Sequence, residues 1–345
     1  MAMIDVTIRG AGILGLSIAW VCLQRGASVR IVDPYGAGAG SSGGVVGALA
    51  PHVPENWNPK KAFQLDSLLM AEGFWSDVAE ASGENPGYIR SGRLQPIADQ
   101  HALTLAHRRC DTAKQLWGAH AQWLVEPSMT SEWSPPSPTG WLIKDNLSAL
   151  IHPRLATNAL AIALKNRGLS IETEAADKGQ VVWATGVHGL EKLSETHHRM
   201  VGNGVKGQAA VFDYDAAGKP QLFIDGLHIV PHANGTVAIG STSEREYAAS
   251  DTTDEQLDEL ILKARTVFPT LGKAMVLERW AGVRPRSRSR APMLGAWPGR
   301  DGHFIANGGF KIGFGMAPKI AHVMADLLLE GKNAIPDGFE VSASF

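Results

Sequence analysis

Apolar residues along the first 33 positions follow the order strand, glycine turn, helix, strand. A β-branched run at 6–8 leads into a turn with glycines at 10, 12 and 15, and an apolar stretch then continues to about Arg25. A second apolar run, from Ser28 to Val32, ends immediately before Asp33. Short β-branched runs bounded by glycine favour strands, and a longer apolar stretch favours a helix. The pattern therefore predicts a β-α-β unit.

The rest of the chain predicts further helices and two kinds of sheet. Apolar positions at helical spacing predict helices over about Lys60–Ala81, Arg154–Lys165, Thr253–Val267 and Pro318–Leu329. A buried strand is predicted at 181–183, and alternating runs between 205 and 243 predict antiparallel strands. The expected fold class is α/β and α+β, with a doubly wound domain that contains GxGxxG and an inserted antiparallel-sheet domain.

The glycine turn predicts a dinucleotide site. Gly10 allows a tight turn, Gly12 allows the backbone to approach a pyrophosphate, and Gly15 allows the helix to pack on the strand. Ile13 and Leu14 begin the helix, whose N-terminus faces the phosphates. Asp33, 18 residues beyond Gly15, is placed to accept hydrogen bonds from ribose hydroxyls. The alternative is a glycine-rich turn of any α/β unit, and the motif alone leaves NAD and FAD both open.

A second cluster of small residues follows Asp33. Glycine, alanine and serine dominate positions 36–44, and an apolar run then ends at Pro51. A flexible linker does not usually run straight into such a stretch. We expect this loop to follow a long cofactor, with the contacts made by Ser41, Ser42, Val45, Val46 and Gly47.

Composition excludes several classes of function. The 345 residues include 44% hydrophobic residues, enough for two domains with substantial cores, and the net charge of −2 provides no chain-wide basic field for DNA. Cys22 and Cys110 form neither a disulfide framework nor a metal-binding spacing. No apolar stretch reaches the roughly 18 residues that a membrane span needs. We expect a soluble, cytoplasmic protein without a metal site.

Several segments together resemble the D-amino-acid oxidase superfamily of flavoproteins, nearest to its glycine oxidase members. They include the N-terminal fingerprint, the loop at 41–52, Trp-Ala-Gly-Val-Arg-Pro at 280–285 and the segment at 307–318. The resemblance implies non-covalently bound FAD and an antiparallel sheet over the flavin. It also implies a discontinuous FAD-binding domain at 1–85, 145–200 and 280–345, and a substrate domain at 86–144 and 201–279.

The resemblance also implies roles for individual residues. Arg284 matches the arginine that binds the substrate carboxylate, which suits a planar guanidinium. Lys311 falls where related amine oxidases often have a basic residue, and His228 falls where glycine oxidases have a pocket tyrosine. Both are expected among the catalytic residues; the alternatives are a solvated loop lysine and a core or surface histidine. Further flavin contacts are implied for Ala184, Thr185, Gly186, Lys311, Ile312 and Gly313.

Arg284 is also the first of four arginines at alternate positions, 284, 286, 288 and 290, and such a row would also suit a solvated edge. We expect surface positions for most of the other three. This chain also lacks most of a hairpin that the family usually has before residue 181, which leaves the adenosine contacts open. The basic surroundings of Arg284 point to an anionic or larger substrate.

The expected reaction is hydride transfer from the α-carbon of an amino acid or secondary amine to flavin N5, followed by hydrolysis of the imine. The substrate carries a carboxylate, and the electrons pass to O2 or a quinone. Alternatives are a tRNA wobble-uridine carboxymethylamino oxidase, a 2-hydroxy-acid or proline-type dehydrogenase, and a non-catalytic FAD-binding subunit. A homo-oligomer is possible.

Overall fold

The computed structural model describes residues 4–345. Residues 1–3 of the predicted FAD-binding segment 1–85 lie outside the described residues. Seven α-helices are present in this range: α1 (Ile13–Gln24), α2 (Pro59–Ser82), α3 (Gln100–Trp117), α4 (Pro153–Asn166), α5 (Gly186–Thr196), α6 (Glu255–Val267) and α7 (Gly313–Glu330). The first eight strands are β1 (Val6–Arg9), β2 (Val29–Val32), β3 (Ala48–Leu49), β4 (Arg93–Pro96), β5 (Trp123–Pro127), β6 (Trp141–Asp145), β7 (Ala149–Leu150) and β8 (Ile171–Glu172). The other eight are β9 (Gln180–Trp183), β10 (Gly202–Asp213), β11 (Gln221–Ile224), β12 (Leu227–Pro231), β13 (Thr236–Gly240), β14 (Val276–Ser287), β15 (Met293–Ala296) and β16 (His303–Asn307).

A six-stranded sheet has the order β15-β16-β9-β1-β2-β8. All neighbours pair in parallel except β15, which runs antiparallel to β16 at one edge. Helix α1 is buried along most of its length and packs against α7 and α4. An apolar helix in this position is required because both faces of a parallel sheet must be covered. This arrangement places the start of α1 at the carboxyl ends of β1 and β9.

An eight-stranded sheet has the order β14-β10-β13-β12-β11-β4-β6-β5. Its pairs are antiparallel except for β11 with β4. One face packs against α6 through a separate apolar core that includes Phe212, Leu222 and Phe268. The long strands β10 and β14 form its edge pair, so residues of β14 are positioned by β10 on one side only.

Helix ends follow local sequence signals. Asn58 begins α2 by accepting a hydrogen bond from the Lys61 amide at 3.1 Å, and Pro59 occupies the first turn. Gly83 ends the same helix in the left-handed conformation.

One predicted helix needs a new start, and two helices of the structure are absent from the predictions. The last helix begins at Gly313 and not at Pro318, because the Met316 amide donates to the Ile312 carbonyl at 3.0 Å and closes a turn before the proline. Helices α3 and α5 were not predicted at all.

Strand β14 passes through residue 280, where the sequence predicts a domain boundary. The domain bounds stay a prediction.

Candidate active site

In the glycine turn after β1, the fold has no room for a side chain at two of the three glycines, and it leaves space at the third. A Cβ at Gly10 would overlap the Ala184 carbonyl, and a Cβ at Gly15 would overlap the Gly10 carbonyl. A Cβ at Gly12 would meet only the Ser42 hydroxyl, at 3.1 Å. The space over Gly12 is therefore available to a ligand.

Polar groups converge on this turn. The Asp33 carboxylate accepts hydrogen bonds from the Ala11 amide at 2.7 Å and from the Tyr35 amide at 2.8 Å. The Ile13 amide donates to the Ser42 hydroxyl at 3.0 Å. The first amides of a helix have no partner within the helix and carry a partial positive charge, so the start of α1 suits an anion.

The loop predicted to follow the cofactor lies between the two sheets. Gly47 approaches the Ile151 carbonyl closely, and the Val45 carbonyl accepts a hydrogen bond from His232 Nε2 at 3.0 Å. A Cβ at Gly240 of β13 would lie 2.8 Å from a Val46 methyl group. Ser41 begins a short 3-10 turn here, beside Ser42. The loop is thus held against the eight-stranded sheet at its inner end.

The end of β9 forms the other wall of the glycine turn. The Ala184 amide donates to the Arg9 carbonyl at 2.7 Å, and Thr185 precedes α5. The Asn307 side chain donates to the Gly186 carbonyl at 2.8 Å, which ties β16 to this segment. Ala184 and Thr185 therefore lie next to Gly10, and Gly186 follows them at the start of α5.

The segment between β8 and β9 is short and is held by two arginines. Arg9 binds Asp177 at 2.6 Å and the Ala175 carbonyl at 3.0 Å. Arg30 binds Glu172 at 2.8 Å and the Ala176 carbonyl at 3.1 Å. Sequence reasoning did not identify these contacts.

Arg284 lies in β14, buried to 9% exposure, with its guanidinium held by the eight-stranded sheet. Nη1 donates to the Ser241 hydroxyl at 2.6 Å, while Nη2 donates to the Thr242 carbonyl at 2.6 Å and to the Lys206 carbonyl at 3.2 Å. Nε is buried without a partner in the described part of the chain. Burial lowers the pKa of Arg284 to about 10, so the group remains a cation at neutral pH.

These contacts change one detail of the expected carboxylate contact. Two backbone carbonyls already occupy Nη2, which leaves Nε and one hydrogen of Nη1 for a ligand. A bidentate pair through Nη2 therefore requires a ligand oxygen to share or replace a carbonyl contact. The unpartnered buried Nε is the strongest sign that an acceptor belongs beside Arg284.

Lys311 and Ile312 lie immediately before α7, and Gly313 is its first residue. The Lys311 ammonium lies 5.7 Å from the centre of the Phe310 ring, and the Arg284 guanidinium carbon also lies 5.7 Å from it. Lys311 is exposed, and partial desolvation together with the charge of Arg284 lowers its pKa. Lys311 and Arg284 therefore lie near the same aromatic ring, and their roles stay a prediction.

His228 lies in β12, where its ring packs on Phe223 with 4.7 Å between ring centres. Its Nδ1 is buried without a partner among residues 4–345. Burial, with smaller contributions from Arg93 and Lys311, lowers the pKa of His228 to about 4. The ring is neutral at physiological pH and lies within electrostatic range of Lys311.

Sequence reasoning missed the residues that position Arg284. Gly207 faces Arg284 across the β10–β14 pair, and a Cβ there would overlap the guanidinium. Ser241 and Thr242 supply two of the three acceptors. The sequence predicts antiparallel strands between 205 and 243, but nothing in a single sequence shows that these residues meet Arg284 of β14.

A family model described as "FAD dependent oxidoreductase" matches residues 5–327. The chain belongs to this family. It is 24% identical to glycine oxidase of Pseudomonas aeruginosa over 361 aligned positions, covering 96% of each chain. The predicted D-amino-acid oxidase superfamily, the enzyme class and the FAD cofactor are thereby confirmed.

Solved structures of family members share the fold. Glycine oxidase of Geobacillus kaustophilus superposes with a TM-score of 0.85 at 20% identity, covering 99% of each chain. Iminodiacetate oxidase of Chelativorans superposes with a TM-score of 0.82 at 20% identity, covering 96% of this chain and 97% of the other. The predicted combination of a doubly wound sheet with an inserted antiparallel sheet is confirmed.

The residues at the glycine turn fit FAD. The open space over Gly12, the start of α1 and the Asp33 carboxylate provide the three features that a dinucleotide needs. The individual contacts assigned from sequence stay predictions. None of the helices within residues 4–345 is long and apolar enough to cross a membrane.

Proposed function

We propose that the protein oxidises the carbon–nitrogen bond of an amino acid or secondary amine that carries a carboxylate. FAD-dependent C–N oxidation is the activity that its glycine oxidase and iminodiacetate oxidase relatives support. The tRNA-modifying, hydroxy-acid or proline-type, and non-catalytic alternatives are not favoured by these relatives. The observation that carries the substrate class is Arg284, a buried cation with an unpartnered Nε at the rim of the antiparallel sheet.

FAD, when bound, supplies the acceptor for the hydride. The protein's task is to orient the substrate and to exclude water. Arg284 fixes the carboxylate and so sets the position of the α-carbon. The α-carbon loses two electrons and a proton, the nitrogen loses a second proton to solvent, and water converts the resulting imine to a carbonyl compound and an amine or ammonia. The electrons then pass to O2 or a quinone.

Neutral and cationic side chains around the site favour the reactive form of the substrate. An amine must be neutral to give up a hydride, and nearby cations lower the pKa of an amine. Arg284 and Lys311 provide positive charge, whereas His228 stays neutral because its pKa is about 4. His228 therefore contributes shape and one unpartnered nitrogen rather than charge.

A screen of FAD-loaded protein tests this proposal. Pairs of compounds that differ only in the carboxylate, such as glycine with methylamine and N-methylglycine with dimethylamine, are compared within a wider set of amino acids. We expect turnover only of compounds with a carboxylate, measured as release of the carbonyl product with a dye as electron acceptor. Equal turnover of both members of a pair, or no turnover of any amino acid or amine, contradicts it.

A further inference from the structure

Three cations surround one aromatic ring beside the site. The Arg284 and Arg286 guanidinium carbons and the Lys311 ammonium lie 5.7, 5.5 and 5.7 Å from the centre of the Phe310 ring. We call these four residues the Phe310 cluster. Each cation lies within 5.7 Å of the ring centre, so the distance between any two of them is at most twice that value.

The strand geometry explains why the cluster forms. Residues 284 and 286 are two apart in β14, so their side chains leave the strand on the same face. The Phe310 amide donates to the Pro285 carbonyl at 3.0 Å, and Arg286 forms a β-bridge with Gly309. The loop before α7 is therefore fastened to β14 between the two arginines.

The cluster lacks a counter-charge within residues 4–345. None of the ion pairs there includes Arg284, Arg286 or Lys311. The carboxylate that acts on Arg284 is Glu244, which already pairs with the buried Lys206 at 3.6 Å. The positive charge of Arg284 lowers the pKa of Lys311, so these like charges repel and an anionic ligand would be stabilised here.

Arg286 differs from the two arginines that follow it. Arg288 and Arg290 are exposed, whereas Arg286 is half-buried and its guanidinium has no hydrogen-bond partner among the described residues. Arg284 alone satisfies the single carboxylate of the proposed substrate. A substrate with one carboxylate therefore leaves the positive charge of Arg286 without a counter-ion.

We propose that the substrate carries a second carboxylate and that Arg286, with Lys311 beside it, binds this group. The inference rests on the proposed function and names its substrate class: a short amino acid or secondary amine with two carboxylates. Both guanidinium carbons lie within 5.7 Å of one ring centre, so a single small molecule can reach both arginines. A nucleic acid backbone is the competing anion, and the test includes it.

Arg286→Gln and the exposed Arg288→Gln provide a matched pair of variants. The substrates are also matched: iminodiacetate with N-methylglycine, and aspartate with alanine in both enantiomers. We expect wild type to prefer the dicarboxylate member, and we expect Arg286→Gln to lower that preference in kcat/KM at least tenfold, through KM. Arg288→Gln keeps the preference, and Arg286→Lys restores part of it.

Equilibrium binding gives a readout without turnover. Calorimetry on the FAD-loaded protein measures the affinity for succinate or malonate and the affinity for acetate. We expect the dicarboxylate to bind more tightly than acetate in wild type, and we expect this difference to be smaller in Arg286→Gln. Equal preference in wild type and Arg286→Gln overturns the inference, as does tRNA binding that depends on Arg286 without any dicarboxylate preference. Turnover of monocarboxylates with no dicarboxylate preference overturns the inference alone, whereas absence of all amino-acid turnover overturns the proposed function.

Discussion

A guanidinium has five N–H groups, and Arg284 uses only three of them within the described residues. The three acceptors are a hydroxyl and two backbone carbonyls, none of which carries a negative charge. A buried cation held by neutral groups is oriented without being neutralised. This arrangement suits a residue whose counter-ion arrives with the substrate.

Replacing Arg284 by alanine should remove most of the activity. A substrate carboxylate left without its buried partner loses roughly 2 to 5 kcal/mol, or about 30- to several-thousand-fold in kcat/KM. Lysine should recover only part, because an ammonium cannot reproduce the planar donor set. Steady-state kinetics on the best substrate measures the loss, and the flavin spectrum should be unchanged. Near-wild-type kcat/KM in Arg284→Ala would contradict the assignment.

Gly12→Val should separate cofactor binding from folding. A Cβ at position 12 meets only a movable hydroxyl, so the chain is expected to fold, but the valine methyl groups would fill the space of the pyrophosphate. The variant should purify without yellow colour and with a normal circular-dichroism spectrum. Gly15→Val is the contrasting variant, because its side chain would overlap the Gly10 carbonyl and prevent folding. A yellow Gly12→Val protein would show that the dinucleotide does not bind at Gly12.

At the scale of elements, the pairing of β10 with β14 sets the position of Arg284. Gly207 pairs with Gly282 and Val205 with Arg284, so the guanidinium extends over the backbone of Gly207. Strand register thus determines which residue must be glycine.

Gly207→Ala should displace the guanidinium and raise KM for a carboxylate substrate while FAD stays bound. The control is Gly73→Ala in α2, where a Cβ meets nothing within 4 Å and the change to alanine should stabilise the helix by up to about 1 kcal/mol. Kinetics and thermal unfolding of both variants check this. An unchanged KM in Gly207→Ala would show that Arg284 does not need its present position.

His232 connects β12 to the loop that is expected to follow the cofactor. It is 2% exposed, its Nε2 donates to the Val45 carbonyl at 3.0 Å, and its Nδ1 lies 3.0 Å from the Thr236 hydroxyl oxygen. Burial and His152, 4.5 Å away between ring centres, lower the pKa of His232 to about 4.

Because the pKa is lowered, the unfolded chain binds a proton that the folded chain excludes between pH 6.5 and about 4. The stabilisation is complete above pH 6.5 and is lost as pH falls through that window, by about 3 kcal/mol at most. His232→Asn should therefore lose less stability than wild type between pH 7 and pH 5. Thermal unfolding of both proteins at the two values measures it, and parallel losses would contradict the account.

Local signals predicted the elements that hold the cofactor, but not every element. Asn58 with Pro59, and Gly83, mark both ends of α2, and the structure confirms that helix. Helix α7 begins five residues before the predicted start at Pro318, because the Met316 amide and the Ile312 carbonyl close a turn ahead of the proline. The Phe310 cluster depends on a hydrogen bond from Phe310 to Pro285, a long-range contact that no local pattern contains.

At the scale of the whole molecule, the site lies where the two sheets meet. The six-stranded sheet contributes the glycine turn and the segment after β9, and the eight-stranded sheet contributes Arg284 and His228. The loop at 41–47 joins them through the contact of Val45 with His232. The groups expected to bind the cofactor and those proposed to bind the substrate thus come from separate sheets, and the loop at 41–47 contacts both.

The most direct test of the account is anaerobic reduction of the bound flavin by its substrate. FAD-loaded protein is mixed without oxygen with the preferred amino acid from the screen, and the flavin absorption band is followed together with the carbonyl product. The account predicts bleaching of the flavin with one carbonyl product formed per flavin reduced, and much slower bleaching in Arg284→Ala. A flavin that stays oxidised with every amino acid and amine, or that is bleached equally fast in Arg284→Ala, would contradict it.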